Sequence, residues 1–168
     1  MPVYGPKWQE ELVGLTGICR QVYTESLSCP DLFRLARARS HEPGCVFLAS
    51  GGEVDSARYH LLAVRPWFVL VSKGEDWVCQ RDEEQVSGSG SPLSVLRFLL
   101  QTNHLPPAAS RSPVGAGLFG YLGYELNRHM EDIPRTSLDD TGLPDMYLTA
   151  PGMVLVQDRG TGHTWMQV

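Results

Sequence analysis

The sequence predicts an α+β fold, a mixed and largely antiparallel sheet with a few short helices. Three observations point there. Apolar runs at 45–50, 59–64, 67–72 and 153–158 are short and bounded by Gly, Pro or charged turns, the length and punctuation of strands. Two pairs of runs flank compact turns, Lys73-Gly74-Glu75-Asp76 and Arg159-Gly160-Thr161-Gly162, as in hairpins. The helical stretches are segregated, so a repeating βαβ unit is not indicated, and there is no internal repeat of fixed period.

Residues 1–28 are mixed in character, and 18–23 alternates weakly, as a strand would. In 29–39, Pro30 suits a first helical turn and Asp31 favours the positive helix N-terminus. Leu32, Leu35 and Ala36 fall on one face and the arginines largely on the other, predicting a short amphipathic helix that ends near Pro43-Gly44. The run at 45–50 reads as a buried strand. Pro66 separates the next two runs and marks an edge, bend or bulge, because proline cannot donate to a ladder. Residues 77–81 return after the turn, and 83–91, rich in Ser and Gly, reads as a loop.

Ser91-Pro92-Leu93 opens a second helix with an N-cap residue and a proline at the first helical position. Leu93, Leu96, Leu99 and Leu100 follow at helical spacing until Pro106-Pro107. Residues 106–113 form a linker. In 115–124, glycines alternate with large aromatics, which predicts a strand approached closely by another backbone or a ligand. Residues 125–131 make one or two helical turns, 132–145 is a polar loop, and the last segment is a hairpin. The expected core comprises Val46, Leu48, Leu61, Val69, Val71, Leu96, Leu99, Phe119, Tyr121, Val154 and Val156.

Composition narrows function by exclusion. The chain has 168 residues, 42% of them hydrophobic, enough for one domain with a real core. With 19 acidic and 14 basic side chains its net charge is −5, which lacks the footprint of a nucleic-acid binder. No run approaches the roughly 20 apolar residues of a membrane helix. The first residues carry no basic segment followed by an apolar run, so the expected compartment is the cytoplasm. Cys19, Cys29, Cys45 and Cys79 form no C-x-x-C pair, so they read as structural rather than zinc-binding.

The residues by themselves offer no convincing active site. Gly115-Ala116-Gly117-Leu118-Phe119-Gly120 echoes a phosphate loop, but a proline-rich linker precedes it and aromatics follow, where a dinucleotide fingerprint needs strand, turn and helix. His41, His60, His104, His129 and His163 show no metal-ligand spacing. His129 with Glu125, Arg128 and Glu131 reads as a solvated helix face. Asp139-Asp140 and Asp145 read as a charged loop tip, since their spacing does not fit a calcium loop.

Three segments in order resemble one family. The first is Val46-Phe47-Leu48-Ala49-Ser50-Gly51, then Ala57-Arg58-Tyr59-His60-Leu61-Leu62-Ala63 and Pro66. The second is Gly117-Leu118-Phe119-Gly120-Tyr121-Leu122-Gly123-Tyr124-Glu125-Leu126-Asn127-Arg128, with Glu131 and Pro134. The third is Leu143-Pro144-Asp145-Met146, leading to a strand that ends at Asp158. Together, from about Cys45 onward, they resemble the N-terminal lobe of the anthranilate synthase component I and aminodeoxychorismate (para-aminobenzoate) synthase component I family. Asn127-Arg128 with Glu131, and the stretch from Asp139 to Met146, lean towards the aminodeoxychorismate enzyme.

The resemblance implies a single N-terminal domain over 1–168, with the C-terminal chorismate-binding catalytic lobe absent from this chain. It implies that the complete enzyme aminates chorismate with ammonia from a glutamine amidotransferase subunit or domain, using magnesium. The product is 4-amino-4-deoxychorismate for folate synthesis or, as the alternative, anthranilate for tryptophan synthesis. It implies no catalytic and no metal-binding residue in this segment. The lobe packs on its catalytic partner, exposing an apolar face without it, and contributes part of an L-tryptophan pocket. By position, Leu48 and Ser50 supply wall and polar contact, with Arg58 and Tyr59 nearby; equally, Leu48 and Tyr59 read as plain core and Ser50 as a strand end. Ala49 stands where feedback-regulated anthranilate synthases carry Glu. A free-standing small-molecule-binding regulatory module is the rival class.

Overall fold

The structure, a computed structural model, describes residues 7–16, 23–28, 31–52, 57–103, 112–132, 134 and 138–168. Cys19, Cys29, most of 18–23 and most of the 106–113 linker lie outside them. In chain order the elements are α1 (Lys7–Thr16), β1 (Thr24–Leu27), α2 (Leu32–Arg39), β2 (Val46–Leu48), β3 (Tyr59–Lys73), β4 (Asp76–Arg81), β5 (Glu84–Ser89), α3 (Pro92–Thr102), β6 (Phe119–Leu122), a 3-10 helix (Tyr124–His129), β7 (Met146–Asp158) and β8 (Thr164–Gln167). The pairs β1–β8, β2–β3, β3–β4, β4–β5 and β7–β8 are all antiparallel, so the α+β expectation holds. The chain forms two compact units, one from 1–19, 68–104 and 120–148 and the other from 20–67, 105–119 and 149–168.

The first unit is a β3–β4–β5 meander with α1 lying against β4, β5 and α3. Trp8, Leu12 and Leu15 recur at helical spacing in α1, and Leu12 and Leu15 are buried. Burial of each such side chain stabilises by about 1.5–3 kcal/mol. The Trp8 ring meets Trp77 edge-on at 5.6 Å and Phe98 at 5.3 Å. Arg81 donates to the Leu15 carbonyl at 3.2 Å, and Asn103 donates to the Thr16 hydroxyl at 3.2 Å, giving the C-terminal end of α1 the partners a helix end lacks. In α3, Ser91 has cap geometry but makes no side-chain cap bond, so Pro92 at the helix start carries the initiation.

Gly120 occupies β6 with φ 148°, and a Cβ there would run into the Tyr147 backbone. The glycine–aromatic alternation is thus explained by close backbone approach. Arg128, His129, Asp139 and Asp145 are also more tightly held than their charge suggests. The His129 Nε2 donates to the Gly74 carbonyl at 3.1 Å. Arg128 pairs with Glu125 at 3.3 Å and lies 3.9 Å from Asp145. Asp145 is buried and accepts from the Gly74 amide at 2.7 Å, while Lys73 pairs with Asp139 and donates to the Leu143 carbonyl. The expected solvated face and charged loop tip are corrected on these contacts: Arg128, His129, Asp139 and Asp145 clasp the β3–β4 turn.

The second unit has a layer of side chains on each face of its strands. Asp31 caps α2, accepting from the Arg34 amide at 3.0 Å, and Arg37 and Arg39 fall in the last turn, where cations suit the helix dipole. Leu32 and Ala36 pack on Leu62, Val64 and Leu155. On the opposite face Ala63, Phe119, Val154 and Val156 form a second cluster, with Val46, Tyr59, Leu61, Val114 and Trp165 around it. β3 is one strand rather than two, bent where Arg65 takes φ 55° just before Pro66.

Several expectations are overturned. Residues 84–89 form β5, not a loop. The inward position opposite Trp77 is Gly88, and a Cβ there would come within 2.5 Å of the indole; a strand whose inward side chain is absent hides its alternation. In the part of β3 after Pro66 the buried positions are Phe68, Leu70 and Ser72, and Val69 and Val71 are only half-buried. A buried serine concealed the phase, and a shift of one residue exchanges the faces. Val46, Leu61 and Leu96 are likewise half-buried. Leu48 is 43% exposed because β2 pairs only with β3, and Tyr121 is 42% exposed. Leu99, Phe119, Val154 and Val156 are core as expected.

Candidate functional site

Leu48, Ser50, Arg58 and Tyr59 come together at one end of the second unit. β2 and β3 pair with Leu48 opposite Leu61, and directly opposed residues in an antiparallel pair share a face. That face also carries Tyr59, half-buried against the cluster of Ala63, Phe119, Val154 and Val156. Ser50 follows the end of β2, and its hydroxyl donates to the Tyr59 carbonyl at 2.6 Å. Its oxygen lone pairs are left for a donor. The Arg58 guanidinium stands 5.2 Å from the centre of the Tyr59 ring, in cation–π range. Leu48 is therefore an exposed edge residue rather than plain core, and Ser50 does more than end a strand.

Two residues that the sequence reading did not single out organise this end. Arg58 donates from Nε at 3.0 Å and from Nη2 at 2.8 Å to one oxygen of Asp158. The other Asp158 oxygen accepts from the Gly160 amide at 2.8 Å and the Thr161 amide at 3.3 Å. The Arg58 hydrogen bond, against the cost of burial and with help from those amides, holds the Asp158 carboxyl below its ordinary value. Arg159 donates from its backbone to the Arg58 carbonyl at 2.9 Å, and its guanidinium donates to the carbonyls of Gly52 and Ala57. The signal was present in the sequence: a lone acid ending an apolar strand before Arg-Gly-Thr-Gly.

Chemically this edge presents a phenol ring, an aliphatic wall, a hydroxyl and two guanidinium groups. It has no nucleophile–base pair. Among the described residues no group of three or more His, Cys, Asp or Glu is placed to hold a metal. No helix among the described residues is long and apolar enough to cross a membrane.

Comparison with known proteins gives this arrangement a context. No family model matches the chain. Anthranilate synthase component 1 of Cereibacter sphaeroides is 33% identical over 137 residues, 79% of this chain and 27% of that protein. Aminodeoxychorismate synthase component 1 of Escherichia coli is 28% identical over 122 residues, 71% of this chain and 27% of that protein. Among solved structures, anthranilate synthase component I from Streptococcus pneumoniae matches with a TM-score of 0.50 at 25% identity, over 83% of this chain and 30% of that one. The class is thereby defined by likeness: the chain resembles part of the component I subunits of two synthases. More particularly, the chain is homologous over about four fifths of its length to component I of anthranilate synthase and of aminodeoxychorismate synthase. It spans little more than a quarter of the length of the curated relatives it matches.

Proposed function

We propose that the chain serves a chorismate-utilising synthase as a non-catalytic region that packs on a chorismate-binding lobe and holds part of an L-tryptophan pocket. The observation that carries this reading is the convergence of Leu48, Ser50, Arg58 and Tyr59 on one strand edge, within a span related to two kinds of component I. An indole suits an apolar slot beside an aromatic ring, a carboxylate suits guanidinium donors, and an ammonium suits the hydroxyl oxygen as acceptor. Leu122, Tyr124 and Met130 are large and exposed, Tyr124 to 85%, and such side chains in one stretch suit a covered surface.

In the whole enzyme, chorismate would be aminated with ammonia from a glutamine amidotransferase, with magnesium bound outside these residues. The sequence pattern at Asn127-Arg128, Glu131 and Asp139 to Met146 favours 4-amino-4-deoxychorismate as the product, for the folate path. The anthranilate reading is favoured by one observation, the higher identity, 33% against 28%, to an anthranilate synthase component.

Two experiments test this. Calorimetric titration of the chain with L-tryptophan, and separately with chorismate, should show tryptophan binding that Ser50→Ala weakens; a folded chain that binds neither overturns the pocket. The chain should also replace the matching region of the Escherichia coli or the Cereibacter sphaeroides component and preserve product formation in one of them. Loss of activity in both chimaeras overturns the packing role.

A further inference from the structure

On the face of β3 opposite the candidate site, His60 lies beneath α2. It is 8% exposed, and its Nδ1 is buried with no hydrogen-bond partner among the described residues. Two phenylalanines close around it. The Phe33 ring, from α2, meets His60 edge-on at 5.0 Å, and meets Phe47, from β2, at 5.0 Å. Phe47 and His60 lie 6.2 Å apart. A buried polar atom without a partner costs free energy in either protonation state, and far more when the group is charged. An aromatic trio tolerates a neutral imidazole; a positive one needs an acid beside it.

Among the described residues, the acids beside α2 and at the end of β7 are already engaged. Asp31 caps α2 through the Arg34 amide. Glu42, after the helix, pairs with Arg39. Asp158, at the end of β7, is held by Arg58. The charges left over among the described residues are cationic: Arg34 and Arg37 on α2 and Arg159 after β7. β2 carries no charge.

We propose that His60 is a pH-sensitive latch for α2: as neutral imidazole it completes the three-ring cluster that seats the helix, and protonation loosens that seat. Burial, and then the charge of Arg159, hold the imidazole below the ordinary histidine value of 6.5. A base whose folded value is depressed stabilises fully above its unfolded value, and that contribution is lost as pH falls through the folded one. The latch therefore holds at neutral pH and releases in mild acid. It is independent of the proposed function, because it needs only α2, β2 and β3.

The test is an NMR titration of the intact chain from about pH 8 to about pH 5, the range in which histidines titrate. It follows the His60 ring protons and the hydrogen exchange of the α2 amides, corrected for intrinsic rates. The His60 ring should titrate below the ordinary histidine value of 6.5. The protection of α2 should fall by up to about tenfold for each unit of that depression, while α3 is unchanged. His60→Phe should keep α2 protected at both ends of the range. A His60 ring that titrates at or above the ordinary value of 6.5 in the unaltered chain overturns the proposal, whether or not the variant folds. So does a His60→Phe chain whose α2 loses protection in acid as before.

Discussion

Arg58 and Asp158 are joined across one hundred residues of chain, with two guanidinium nitrogens donating to a single carboxylate oxygen. The guanidinium is largely exposed and the carboxylate almost wholly buried. The two ends of the pair are therefore not equivalent. Asp158→Ala removes the partner of Arg58 and also the acceptor for the Gly160 and Thr161 amides, whereas Arg58→Ala leaves that turn intact. Thermal unfolding should show a larger loss of Tm for Asp158→Ala than for Arg58→Ala. Asp158→Asn should fall between them, because an amide oxygen still accepts in the turn.

The same carboxylate sets an acid limit. Its folded pKa lies below the ordinary 3.8, first through the Arg58 hydrogen bond. The stability it contributes is complete above the ordinary value and is lost as pH falls through the folded one. Denaturant unfolding in that acid range should be less steep in pH for Asp158→Asn than for the unaltered chain.

Gly120→Ala should be among the most damaging single changes. The backbone there has φ 148°, and a Cβ would collide with the Tyr147 backbone. Conformational strain alone costs about 1–3 kcal/mol, and the collision with main chain adds to it. Equilibrium unfolding of this variant measures the sum.

Leu62 and Leu48 lie one layer apart in sequence logic and far apart in cost. Leu62 is 1% exposed within the α2 cluster, so Leu62→Ala should destabilise by about 2–5 kcal/mol. Leu48→Ala, at an exposed strand edge, should fall within about 0.5 kcal/mol. Equal losses in denaturant unfolding would contradict the edge placement of Leu48.

Burial pushes the Cys79 thiol up to about 12, so it carries almost no thiolate at neutral pH. Alkylation under native conditions, read peptide by peptide in a mass spectrometer, should leave Cys79 unmodified until the chain is unfolded.

What the sequence made legible was punctuation and period. Asp31 and Pro92 marked helix starts, the turns at 73–76 and 159–162 marked hairpins, and the glycines of 115–124 announced close backbone approach. What stayed hidden had physical reasons. β5 presents Gly88 where a strand would show an apolar side chain, and Ser72 sits inward where a valine would be guessed. α1 draws its partners, Arg81 and Asn103, from distant sequence. The four candidate residues were found by resemblance, since nothing in their local pattern indicates a site. Asp158 and Arg159 were missed because their partners lie a hundred residues earlier in the chain.

The register of β1 with β8 places Thr24 opposite Gln167. On a ribosome β1 therefore waits, unpaired along that edge, through the synthesis of nearly everything that separates it from its partner. The β3–β4–β5 meander, whose strands follow one another directly, can pair as it emerges, since local contacts form first. A nascent chain thus meets the cell with one hairpin system closed and one sheet margin open. Emergence of β8 is what seals that margin against pairing with a stranger.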